Sequence, residues 1–451
     1  MSISTQETSA DRLEQVLANR REGAKFTLAQ RFAGLFELPV ETLMGMIGLF
    51  GCALFNLSDL STTGTDKVSF DVQVLVKLGM LAMLGLYGGI GVLSDLKVRR
   101  TLFSFPVLWM VIILGCYLLS VPGSITPKES LASAVSIACV LFGTTRALVQ
   151  VGVHKILRLI FFAGAGFLAM SWVLFLFVPS IGVFQEPVPG GQFVARMSGM
   201  SHPNTLGQYA GITLLIGFLL WKVYGESSKW RVLILLMAFG ALLGSVSRSS
   251  LVATVIALAI AYRAHFMDEK YLVYFLWLGA IACVGLMLLS MATDLGALIE
   301  SKLSSISKSG DSEELTTATG RAEIWGYTLK LIAKEPLTGY GAATSKWFLS
   351  DYSLYTHNLF LNVAFSTGVF GGLACLFMLA GRIVSFFRTE HAVADALFAF
   401  IIINGLFENV IFSILCGMPT IVWILALVAS RLDPKDERNR DLDGLSLGVS
   451  Q

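Results

Sequence analysis

The strongest constraint on this 451-residue chain is the recurrence of apolar runs long enough to cross a bilayer. At about 20 residues per span, twelve runs fall near 39–57, 72–94, 103–121, 131–148, 159–178, 205–223, 232–247, 249–262, 272–292, 359–381, 393–408 and 411–429. The shortest pair meets at a tight turn around Ser247–Ser249. Hydrocarbon offers backbone groups no partner, so such runs fold as helices. Apolar residues make up 55% of the chain and charged residues 14%, with a mean hydropathy of +0.72. A soluble chain carries about 25% charged residues, so a soluble enzyme is excluded, and so is a disordered chain. A net charge of +2 gives no case for nucleic acid as a partner. The expected fold is an all-α polytopic membrane protein with about twelve transmembrane helices.

Charge placement orients these runs. With a cytosolic N-terminus, the inner segments hold 22 Lys and Arg and the outer ones 10, Lys77 inside a span completing the 33. The positive-inside rule then predicts that both termini are cytosolic. The expected organisation is a cytosolic tail over 1–38, nine helices within 39–292, a large outer loop over 293–358, three helices within 359–429 and a cytosolic tail over 430–451. The N-terminal tail lacks the apolar core and cleavage site of a signal peptide, and a short interfacial helix is predicted near Phe32–Leu38. All six cysteines sit in apolar runs and read as small hydrophobes.

A connection of about 66 residues is far beyond the usual length and marks the outer loop as functional or disordered. Its first part, Ser301–Thr319, is polar. In the second, Ile324, Trp325, Thr328, Leu329 and Ile332 share a face at helical spacing. Thr319 as N-cap and Pro336 as a stop predict an amphipathic helix over about 320–334, lying on the membrane or capping a cavity.

Four outer-side groups could carry chemistry. They are Ala195 to Gly207, containing Arg196 and His202-Pro203-Asn204; Ser245 to Ser250, containing Ser247 and Arg248; Thr319 to Trp325, containing Arg321, followed by Pro336-Leu337-Thr338-Gly339-Tyr340-Gly341; and Tyr355-Thr356-His357-Asn358 with Gly368 and Gly371 downstream. Three arginines and two histidines thus gather at one face without a matching excess of carboxylates. Arginine binds phosphate bidentately and keeps its charge when partly desolvated, which suits a lipid-linked diphosphate. Each residue also has a plainer reading. Arg248 could snorkel to headgroups, Arg196 could bond carbonyls of the 179–191 loop, and His202 and His357 could be structural. Glu408, beside Asn409 at a span end, could cap or pack, and Lys77 could snorkel. Arg321, near the predicted helix start, is unfavourable for the dipole and points to an external partner. His154, His265 and His391 read as inner-surface residues.

The order Ser-Gly-x-x-His-Pro-Asn-x-x-Gly, Ser-x-Ser-Arg-Ser-Ser, Thr-Gly-Arg-x-x-Ile-Trp with Pro-Leu-x-Gly-Tyr-Gly, and His-Asn-x-x-Leu with Gly-x-x-Gly resembles the O-antigen ligase/polymerase superfamily over roughly 195–372. The second motif and the His-Pro-Asn segment look closest to the exopolysaccharide (succinoglycan-type) polymerases. The resemblance implies a GT-C-like glycosyltransferase of the bacterial inner membrane that acts at the periplasmic face on undecaprenyl-diphosphate-linked oligosaccharides. Its implied partners are that donor, a glycan acceptor, bilayer lipids and a chain-length regulator, with no catalytic metal or other cofactor. Carried over by position, Arg196, Arg248 and Arg321 would bind the diphosphate and His357 would act as general base, with Glu408 its rival. His202, Asn204, Ser247, Asn358 and Tyr340 would support them. A polymerase joining repeat units is the first expectation, and a ligase moving glycan onto lipid A–core the alternative. A twelve-span transporter would need ionisable groups near the midplane, where only Lys77 and Glu408 are read, and a lipid flippase would move the donor without lengthening it.

Overall fold

The computed structural model describes residues 39–55, 72–188, 192–226, 228–262, 313–350, 353, 355–388, 391–409, 411–412 and 414–432. The described residues begin with α1 (Val40–Leu54), α2 (Val72–Ser94), α3 (Leu96–Leu102), α4 (Val107–Ser120), α5 (Pro127–Val151), α6 (Val153–Phe177) and the short α7 (Pro179–Gly182). An antiparallel hairpin, β1 (Val183–Val188) and β2 (Gln192–Met197), leads into α8 (Pro203–Lys222), α9 (Lys229–Gly244) and α10 (Arg248–Ala261). Then come α11 (Glu313–Lys334), α12 (Ser345–Phe348), α13 (Leu359–Arg388), α14 (Ala392–Gly405) and α15 (Met418–Leu432). Every predicted apolar run carries a helix except 272–292, which lies outside the described residues, as do His265, the 32–38 segment and the loop up to 312.

By length and composition α2, α5, α6 and α13 can cross a membrane, and α3 with α4, bent by 80°, makes a fifth if taken as one broken span. Helices α1, α10, α14 and α15 are apolar but shorter. The interior is built on α15, which is buried all round from Met418 to Ala429. Packed about it are α5, α14, α8, α6, α1 and α4. The rim is apolar as well, with Leu86, Leu93, Phe162, Leu176, Leu236 and Phe370 exposed. An apolar interior inside an apolar rim is the pattern of a polytopic membrane protein.

Several expectations need correction. The chain is not wholly α-helical, because the 179–191 region, read as a loop, supplies one strand of a hairpin. Its partner strand carries Arg196. Lys77 does not snorkel: it is fully buried, and its Nζ has no hydrogen-bond partner among the described residues. His391 is buried and caps α14, its Nδ1 accepting from Ala394 N at 3.2 Å. His154 is half-buried, 2.6 Å from Glu226. The loop helix starts at Glu313 rather than near 320. Its buried stripe is Ile324, Thr328 and Leu331, while Leu329 is exposed.

The loop helix is seated by a backbone joint. Helix α13 breaks at Gly368, whose φ of 71° and ψ of −168° are non-helical. The break frees backbone groups that a bilayer cannot satisfy. The Pro336–Gly341 segment takes them up: Val369 N donates to Pro336 O at 2.7 Å, Tyr340 N to Phe365 O at 2.9 Å and Gly341 N to Ser366 O at 3.0 Å. A Cβ on Gly368 would lie 2.4 Å from Leu337 O, and one on Gly339 2.6 Å from Phe365 O. Tyr340 stacks on Phe365, ring centroids 4.9 Å apart, beside Ile324, Leu331 and Leu349.

Charge ties the end of α8 to α6 and α9 at Glu226. Glu226 pairs with His154, Arg158 and Arg231. Burial favours the neutral acid, but the hydrogen bond with His154 and the charges of Arg158 and Arg231 outweigh it and hold the carboxyl below its usual range.

Two outcomes follow. Gly368→Ala strains both sides of the joint and should cost about 2 kcal/mol, read as a lower unfolding temperature in detergent; an unchanged melt would contradict the joint. For Glu226, the stabilisation is complete above the usual carboxylate range and disappears as pH falls through the depressed one. Glu226→Gln should therefore melt below wild type at neutral pH, with the gap closing on acidification.

Candidate active site

The site forms where β2, the start of α8, the α9–α10 turn, α11, the segment before α13 and the end of α14 meet. Arg196 sits opposite Phe184 in the hairpin register, so Glu186 falls diagonally across on the same face. Arg196 is buried and uses all three nitrogens. Nε donates to Ser245 O at 2.9 Å, Nη1 to Glu186 Oε2 at 2.7 Å and Nη2 to Asn204 Oδ1 at 2.7 Å. One residue thereby ties the hairpin to α8 and to the α9–α10 turn.

Asn204 lies in the first turn of α8, where Pro203 fits the N1 position and His202 Nδ1 accepts from Asn204 N at 3.3 Å. Its Nδ2 donates to Glu408 Oε1 at 2.8 Å. The same oxygen accepts from Arg321 Nη2 at 3.1 Å, and Oε2 lies 3.3 Å from His357 Nδ1. Glu408 follows the C-terminal end of α14, its backbone N still bonded to Asn404 O. A carboxylate there opposes the helix dipole, and the three polar groups converging on it offset that cost. Its side chain is 11% exposed, against 29% for Arg321 and 26% for His357.

His357 is held from both sides. Thr356 O accepts from Trp325 Nε1 at 3.1 Å, and Thr356 Oγ1 donates to Asn409 Oδ1 at 2.9 Å. Asn358 caps α13 through Phe360 N and Leu361 N, both at 3.0 Å, and donates to Leu406 O at 3.1 Å. Between them His357 takes a left-handed φ of 47°, a conformation that costs a non-glycine residue about 1 kcal/mol or more. Its Nε2 faces Ser353 Oγ at 3.0 Å. With Nδ1–H directed at the carboxylate, Nε2 is the acceptor nitrogen and the Ser353 hydroxyl donates to it.

The remaining residues lie around this centre. Arg248 opens α10 at the turn that Arg196 grips, and is exposed. Ser247 Oγ donates to Ser250 Oγ at 2.9 Å, which accepts from Asn404 Nδ2 at 3.0 Å. Gly207 lets α8 approach this turn, since a Cβ there would lie 2.6 Å from Ser247 Cβ. His202 is exposed and meets Phe184 edge-on, ring centroids 5.2 Å apart. Tyr340 belongs to the joint at Gly368, with its hydroxyl on Leu331 O at 3.1 Å. Arg321 stands in the third turn of α11, away from the helix start, so the dipole argument for it does not hold. Arg196 does bond a carbonyl, as its plainer reading had it, but the carbonyl belongs to the α9–α10 turn.

Two contributors were not legible in the sequence. Glu186 becomes a partner of Arg196 only once the hairpin register is known. The nearest sequence signal is that both flank Pro189-Gly190-Gly191, a turn-forming run between short apolar stretches. Ser353, one turn before His357, has no pattern to mark it. With Glu186 and Glu408 in place, Arg196 and Arg321 each face a carboxylate, so the cluster is less one-sided than its arginines and histidines alone suggest.

Residues 232–376 match the family described as O-antigen ligase. The match supports the O-antigen ligase/polymerase superfamily for this chain. It takes in Ser247, Arg248, Arg321, Tyr340, His357 and Asn358, whereas Arg196, His202, Asn204 and Glu408 lie outside it. No curated protein matches the chain.

Asn358→Ala removes the α13 cap and strands Leu406 O, at an expected cost of about 1–2 kcal/mol. Asn358→Asp keeps the cap and should recover part of the loss. Thermal melts of the three proteins compare them.

Proposed function

We propose that the chain is a polymerase of lipid-linked oligosaccharides, working at the periplasmic face of the bacterial inner membrane through a GT-C-like, metal-independent glycosyl transfer. The observation that supports it best is the convergence of Arg321, His357 and Asn204 on Glu408, with Arg196 and Arg248 adjoining, inside a protein whose family match is to O-antigen ligase. In this reading twelve helices cross the membrane, both termini are cytosolic, and α11 roofs the sugar cavity. The undecaprenyl-diphosphate-linked donor enters sideways between helices, leaving its tail in the bilayer.

The acceptor hydroxyl oxygen bonds to the donor's anomeric carbon while the bond from that carbon to the diphosphate oxygen breaks. His357 Nε2, at the place Ser353 Oγ now faces, takes the hydroxyl proton. Glu408 steadies the imidazole through Nδ1, so the two rival bases act as a pair with different tasks. The departing diphosphate gathers negative charge, which Arg321 and Arg248 meet directly and Arg196 from behind. Each such fixed donor is worth about 2–4 kcal/mol by analogy with an oxyanion hole.

A ligase is the second reading, favoured by the description of the matching family. Purified protein given a lipid-linked repeat unit alone separates the two. A ladder of lengthened products is expected for a polymerase, whereas a requirement for added lipid A–core means a ligase. Arg321→Ala and His357→Ala should each reduce transfer about 100-fold or more without loss of membrane insertion. Near-normal transfer by His357→Ala would move the base to Glu408.

A further inference from the structure

The site has two layers. Arg196 and Glu408 are close to fully buried, with side chains 7% and 11% exposed, while Arg321 and His357 lie on the open side at 29% and 26%. Asn204 is the link within the inner layer. Its amide can sit only one way round: a guanidinium has donors only and an ionised carboxylate accepts only. Oδ1 must therefore face Arg196 and Nδ2 must face Glu408, as they do at 2.7 and 2.8 Å. Arg196 is fixed in turn by Ser245 O and Glu186, so the orientation of the amide is inherited from the hairpin.

We propose that Asn204, oriented by Arg196, is a positioning residue that keeps the Glu408 carboxylate on His357 while Arg321 transfers to the donor's diphosphate. The inference rests on the transfer reaction proposed above. Arg321 and Asn204 share Oε1 of Glu408. An anion that draws Arg321 away leaves Asn204 as the contact holding that oxygen. The other oxygen then stays on Nδ1 of His357, and the ring keeps its lone pair directed at the acceptor. Without Asn204, Glu408 is free to follow Arg321 toward solvent, the direction its helix dipole favours. Asn204 thus separates the two duties of the site, donor capture by Arg321 and orientation of the base by Glu408.

The test uses the full chain in lipid nanodiscs, with steady-state turnover of a lipid-linked repeat unit and calorimetric binding of inorganic pyrophosphate. Asn204→Ala should lower kcat about 10- to 100-fold, with donor KM and pyrophosphate affinity within about twofold of wild type. Arg321→Gln should instead weaken pyrophosphate binding. Asn204→Asp is the second variant: it keeps the bond to Arg196 but sets one carboxylate against another, and its kcat should fall at least as far. Asn204→Ala combined with Glu408→Gln should be no slower than Glu408→Gln alone, because the first acts through the second. An unchanged kcat in folded Asn204→Ala, a loss of pyrophosphate binding equal to that of Arg321→Gln, or additive effects in the double variant would each overturn the proposal while leaving the transfer reaction standing. A wild-type protein that turns over no lipid-linked unit overturns both.

Discussion

A bilayer gives the backbone nothing to bond with, and this constraint organises the whole chain. Where the helices run unbroken, each satisfies itself and only side-chain packing remains to be arranged. At Gly368 one helix does not, and the Pro336–Gly341 segment supplies the missing partners. The same segment ends the run that began with α11. Arg321 on α11 therefore reaches Glu408 because a helix far along the chain is broken and its break is filled. Side-chain geometry at the site is in this sense downstream of a backbone requirement.

Glu408 shows how the chain places a carboxylate in an unfavourable position. The end of a helix repels it, and its burial raises the cost of charge. Asn204, Arg321 and His357 come from three other elements to meet it. Each is in turn anchored elsewhere: Asn204 by Arg196, Arg321 by the stripe of α11 packed near Tyr340, and His357 by Thr356 and Asn358. Glu408 is the partner the three share, so the arrangement is organised around one carboxylate.

Much of the helical framework was legible because apolar runs without charge admit few alternatives. Arg321, His357 and Glu408 could be picked out for a related reason: charge is rare here, so each instance is informative. The β1–β2 hairpin was not visible, since two six-residue strands, one carrying Pro187, give little periodicity, and their pairing is decided only in three dimensions. Glu186 was lost with it. The Pro336–Gly341 motif was noticed but read as a neighbour of the anion site, because a joint made of backbone leaves no side-chain signature beyond its glycines. Lys77 misled for another reason: snorkelling is the common fate of a lysine in a span, but this one faces the packed interior.

That joint also divides the segment between α10 and α13 into two kinds of sequence. Its recognition is main chain to main chain, so Leu337 and Thr338 can vary in chemistry without disturbing the seat, provided the turn geometry at Gly339 and Gly341 and the break at Gly368 are kept. Exposed residues of α11 such as Leu329 can change independently of it, whereas Ile324 and Leu331 pack beside Tyr340 and Phe365. The segment is thus built like a head on a fixed socket, so that the exposed face of α11 can diversify while the helices beneath stay as they are.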